Sequence, residues 1–166
     1  SGVPVDEVAA LHQWDIKYTD DNTLHQRMAD MGVRGLTYPK FDDTMCTYCS
    51  VINAAIVTSL MFTWKGEPWG NVEILTGKRM RPCGNCDKTI LIGQCMFDLN
   101  RDDPGIKECI AVRGCPPDVE EAGEALRKAG IPVDMNIFRN IEPGMGLFIL
   151  KYKNKAEFDE SFYAPQ

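Results

Sequence analysis

KTILIGQCMFDLNRDDPGIKECIAVRGCPPDVEEAGEALRKAG, residues 88–130, is the stretch that decides the fold. It contains two short apolar runs of β type, KTILIG (88–93) and ECIAV (108–112), as buried parallel strands should be. Between them QCMFDLN reads as a short helix, stopped by the turn residues DDPG. After the second run a helix is predicted from Pro117 to Ala129. Proline opens it, Asp118, Glu120 and Glu121 fill the first turn, Arg127 and Lys128 the last, and Gly130 closes it. Strand, helix, strand and helix in succession predict an α/β layered fold, with a mostly parallel sheet flanked by helices.

Upstream, VEILT (72–76) reads as a further strand, and its link to KTILIG is short enough to be a hairpin. A long helix is predicted from about Cys49 to Trp64; it is apolar nearly all round, which places it centrally. GKRMRPCGNCD is a turn-rich loop, and residues 33–45 read as extended or loop. Shorter helices are expected at Pro4–Trp14 and Thr23–Met31, and FILKY (148–152) reads as a strand or core segment. The chain is therefore read as a single α/β domain over 1–166, with 1–43 a helical lead-in and 44–131 a cysteine-bearing core. It starts with Ser rather than Met, so the expectation includes excision from a longer protein.

A domain of ~150 residues buries ~70% of its unfolded surface, so a chain of this size folds on an ordinary core and needs no metal for that alone. The net charge of −6 argues against nucleic acid or an anionic membrane surface as partner. The apolar run from Val51 to Trp64 is broken by Asn53, Thr58, Ser59 and Thr63, and is too short and polar to insert into a membrane. With no signal-peptide pattern visible, the cytoplasm is the expected location. Seven cysteines in such a chain then point to metal or redox chemistry rather than a disulfide framework.

Cys46 and Cys49 form a C-x-x-C clip of the kind used for zinc or an iron–sulfur cluster, at a helix start that lowers thiolate pKa. Cys95 follows the end of KTILIG and Cys115 the end of ECIAV. Parallel sheets gather ligands at the carboxyl ends of their strands, so these four cysteines are expected to meet there. Cys115 stands between Gly114 and two prolines, in a stiff turn that suits a ligand aimed one way. Cys109, inside ECIAV, reads as a small buried hydrophobe. A second clip, Cys83 and Cys86 in PCGNC, lies in a loop expected to be mobile and exposed, and ranks behind the first as a ligand pair. CGNC also has the spacing of a redox dithiol, but Asp87 and a strand follow it where such a dithiol needs a helix N-terminus. GKRMR (77–81) is a basic patch read as a solvated turn, and His12 and His25 read as structural. Neither a phosphate loop nor a nucleophile elbow is present.

KTILIGQC, IKECIAVRGCPP and the helix ending EALRKAGI resemble the carboxyl-terminal part of the domain of unknown function 362 family, over residues 44–131 and most closely over 88–131. The resemblance implies an iron–sulfur protein of anaerobic organisms, in a family whose members are usually longer. GCPP is also similar to the turn in the cluster-carrying small subunit of respiratory complex I and of nickel–iron hydrogenases. There its cysteine is a 4Fe-4S ligand, which implies that role for Cys115 alone, because the adjacent Cys-Cys pair of the complex I subunit is absent here. The expectation is a 4Fe-4S cluster on Cys46, Cys49, Cys95 and Cys115. It would serve electron transfer or cluster-dependent redox chemistry, with a redox protein or another domain of the same protein as partner. Two alternatives stand beside it: a zinc-binding structural or interaction module using both clips, with Cys83 and Cys86 as ligands, and a thiol–disulfide oxidoreductase using CGNC.

Overall fold

A computed structural model describes residues 26–38 and 44–141. The expected Pro4–Trp14 helix, FILKY, His12 and His25 lie outside the described residues, as does most of the 1–43 lead-in. The elements in chain order are α1 Gln26–Asp30, β1 Leu36–Thr37, α2 Thr47–Thr63, β2 Val72–Leu75, β3 Lys88–Ile92, α3 Gln94–Asn100, β4 Cys109–Val112, α4 Val119–Lys128 and α5 Met135–Arg139. The strands form one all-parallel sheet in the order β1-β2-β3-β4. This is the α/β layered fold that the alternating strand and helix patterns predict. The link from β2 to β3 is not a hairpin. Residues 76–87 return along the sheet, so that β3 pairs parallel to β2 with Val72 opposite Lys88 and Leu75 opposite Leu91.

Side chains alternate across a strand, and both faces of this sheet are covered. Val72, Ile74, Ile90, Ile92 and Val112 enter a main core with Ile52, Ile56 and Leu60 of α2 and Leu126 of α4. Leu75 and Leu91 face the other way, onto Met96 of α3 and Met80 of the 76–87 loop. Each such aliphatic side chain contributes ~1.5–3 kcal/mol by leaving water.

Three expectations need correction. α2 is not enclosed: it buries one stripe, Ile52, Ala55, Ile56, Ser59 and Leu60, while Tyr48 and Phe62 remain 63% and 72% exposed. As an outer layer on the sheet, a helix has only one face to bury. β4 is an edge strand, so Cys109 is exposed rather than buried. α4 starts at Val119, two residues after Pro117, because the Asp118 carboxylate accepts the Glu121 N–H at 2.9 Å and so fixes the helix start. Among the described residues no helix is long and apolar enough to cross a membrane.

Candidate metal centre

The carboxyl edge of the sheet is held by backbone hydrogen bonds between the ends of β3 and β4. The Gly93 N–H donates to the Val112 carbonyl at 2.7 Å, and the Gln94 N–H to the Gly114 carbonyl at 2.9 Å. These bonds bring the start of α3, with Cys95, beside the turn that carries Cys115. Gly114 is required in that turn. Its φ is +112°, and a Cβ there would lie 2.8 Å from the Pro116 carbonyl oxygen. The Cys115–Pro116 peptide is cis. Helix α2 starts at the same edge, with Cys46 as its N-cap and Cys49 in its first turn. A Cβ on Gly93 would stand 3.5 Å from Cys49 Sγ and 3.7 Å from Pro117 Cγ, so three segments converge on that glycine.

The result is a cavity of about 300 Å³ lined by Cys46, Cys49, Cys95 and Cys115, with Lys78 and Gly93 among its other walls. Cys46 and Cys49 are half-buried, whereas Cys95 and Cys115 are exposed, so the cavity opens to solvent on the β3–β4 side. The four thiols line one set of walls with open space between them.

The thiols also sense one another. Burial, and after it the neighbouring Cys46, pushes the Cys49 thiol up to about 12, with smaller contributions from Cys95 and Cys115. The Cys49 backbone amide at the helix start holds Cys46 below the ordinary thiol value, and Lys78 adds to this. The basic turn at 77–81 thus contributes a cavity wall rather than a wholly solvated patch. A bound cation reverses the cost at Cys49, because a coordinated thiol is deprotonated.

The second clip lies elsewhere. Cys83 and Cys86 are not part of this cavity's wall. Their loop is largely exposed, as its Gly, Pro and Asn content suggests, but Cys86 within it is buried. Cys86 is 2% exposed, and only Cys83 is open to solvent. The loop is clamped by the buried Asn100, which donates to the Met80 carbonyl at 3.1 Å. Arg81 donates to the Leu99 carbonyl at 2.8 Å, and the Cys83 N–H to Glu73 Oε1 at 2.8 Å. Glu73, Cys83 and Cys86 each bring a ligand atom within 4.8 Å of the others. No helix begins at CGNC. Sequence reasoning missed Glu73; the available signal was a lone carboxylate inside the strand VEIL, with nothing to say that a loop covers it.

Comparison with protein-family models, curated proteins and solved structures finds no match for this chain.

Proposed function

We propose that this chain is an iron–sulfur domain that binds a 4Fe-4S cluster through Cys46, Cys49, Cys95 and Cys115 and serves electron transfer. The observation that carries the reading is the convergence of four cysteines from three separate segments on one cavity of about 300 Å³. A cubane takes one thiolate at each of four iron corners, which suits four thiols around a shared cavity. When bound, such a cluster supplies reversible one-electron chemistry. The chain's own residues set its surroundings. Lys78 brings positive charge to an otherwise anionic thiolate set, and Ile92, Pro116 and Pro117 form an apolar wall. The open side at Cys95 and Cys115 is where a redox partner, or another domain, would approach. All seven cysteines are free thiols, which suits a reducing cytoplasm.

The zinc alternative built on both clips is weaker, because Cys83 and Cys86 are not in the cavity that holds Cys46 and Cys49. The dithiol alternative lacks a helix start at CGNC to lower the pKa of the attacking thiol. The test is anaerobic purification, with reconstitution by iron and sulfide. The expected product is brown, with about four irons and four sulfides per chain. A colourless chain that takes up zinc but no iron or sulfide would overturn the reading.

A further inference from the structure

We infer that Glu73, Cys83 and Cys86 form a second, separate site for a single thiophilic divalent cation of the zinc class, with an open fourth position. Glu73 stands near the amino ends of the strands, with Thr37 and Thr89 as its register partners on β1 and β3. The four-cysteine cavity lies beyond Ile92, three residues further along β3 and so about 10 Å away in the strand direction. The two sites share no residue, and this inference does not depend on the cluster reading.

Two observations meet here. The first is donor geometry. Cys83 Sγ and Cys86 Sγ are 3.1 Å apart, and both lie within 4.8 Å of a Glu73 carboxylate oxygen. Ligands at ~2.3 Å for sulfur and ~2.0–2.2 Å for oxygen around a tetrahedral ion are separated by roughly 3.3–3.8 Å, so small side-chain adjustments bring all three onto one cation. The second is a buried carboxyl group outside the ion pairs between described residues. Glu73 is 1% exposed and takes part in none of the ion pairs between described residues. A bound cation is one of the ways a protein offsets the cost of burying an ionised carboxylate. Its oxygens are already oriented: Oε1 accepts the Cys83 N–H at 2.8 Å and Oε2 accepts the Thr89 hydroxyl at 3.2 Å. Each keeps a free lone pair. Thr37 Oγ1, 3.7 Å from Cys86 Sγ, supports the second thiol. Such outer partners fix ligand direction in metal sites. Binding releases the two thiol protons to solvent and leaves a Cys₂Glu set. Cys83 is exposed, so the fourth position faces water and is open to a further ligand.

The test uses the full reduced chain, freed of metal anaerobically and titrated with Co(II), whose thiolate charge-transfer bands report sulfur ligation. The four-cysteine cavity also offers thiols to cobalt, so the readout is the difference between the parent and variants that leave that cavity intact. Cys83→Ser with Cys86→Ser is expected to bind about one equivalent less. Glu73→Gln is expected to keep the parent's circular dichroism and to weaken that equivalent about ten-fold or more. Cys83 is exposed, so Cys83→Ser alone carries the test if loss of the buried Cys86 unfolds the chain. In the parent, excess Zn(II) should protect both cysteines from alkylation. The inference is overturned if Cys83→Ser and Glu73→Gln bind cobalt as the parent does. It is equally overturned if zinc leaves both thiols open to alkylation, or if mass analysis finds them joined as a disulfide that takes no metal.

Discussion

Cys115 and Cys109 are six residues apart and differ in every property that matters to a ligand. Cys115 follows a glycine that no other residue can replace without meeting the Pro116 carbonyl, and two prolines stiffen what comes next. Cys109 starts an edge strand, away from the cavity. Cys115→Ser is therefore expected to take bound iron from about four per chain to near none, while Cys109→Ser leaves it unchanged. Iron and sulfide analysis on anaerobically reconstituted protein checks this, and equal iron in both variants would remove Cys115 from the ligand set. The sequence showed what is special about the Cys115 turn, because glycine and proline act on the chain locally. It did not show that Cys109 is exposed, because CIAV has the composition of a central strand and its edge position depends on which strands pair.

Among the elements, the loop at 76–87 departs furthest from its sequence. Its Gly, Pro and Asn residues suggest mobility, yet Met80 enters the second core and Asn100 binds the loop backbone from α3. Asn100 also accepts from Arg81 at 3.3 Å and is fully buried, so its removal leaves the Met80 carbonyl without this partner. Asn100→Ala is expected to cost about 1–3 kcal/mol in urea unfolding, with faster proteolysis confined to residues 76–87. An unchanged midpoint would mean that the loop is held by Met80 alone. Helix α4 is the opposite case. Acid at the start, base at the end and a capping aspartate specify α4 locally, while its packing on the sheet, on α2 and on α5 is tertiary. Against α5, Gly123 allows close approach, since a Cβ would fall 2.7 Å from Met135 Sδ.

At the scale of the whole molecule, the two proposed metal sites are built on a fold that has its own core. Val72, Ile74, Ile90, Ile92, Ile56 and Leu60 are wholly or almost wholly buried, and none is a proposed ligand. Metal removal is expected to leave the far-ultraviolet circular dichroism close to that of the loaded chain. Hydrogen exchange should rise around residues 93–95 and 113–117, where two strand ends are held by a few backbone bonds. Complete unfolding on chelation would mean that metal binding supplies the folding free energy, as in small zinc modules.

The sequence alone determined the strands VEIL, KTILI and CIAV, the helices between and after them, and the position of Cys95 and Cys115 just past strand ends. Each of these follows from local apolar patterning or from turn residues acting on their neighbours. The parallel pairing of β2 with β3, the edge position of β4 and the two-residue strand Leu36–Thr37 were decided by tertiary structure. So was the burial of Glu73 beside Cys83 and Cys86. A carboxylate in a strand becomes buried only when something covers that face, and here the cover is a loop of residues 76–87 whose composition favours water. Its hold on the sheet comes from Asn100, Arg81 and Met80, contacts made by residues up to 20 positions apart.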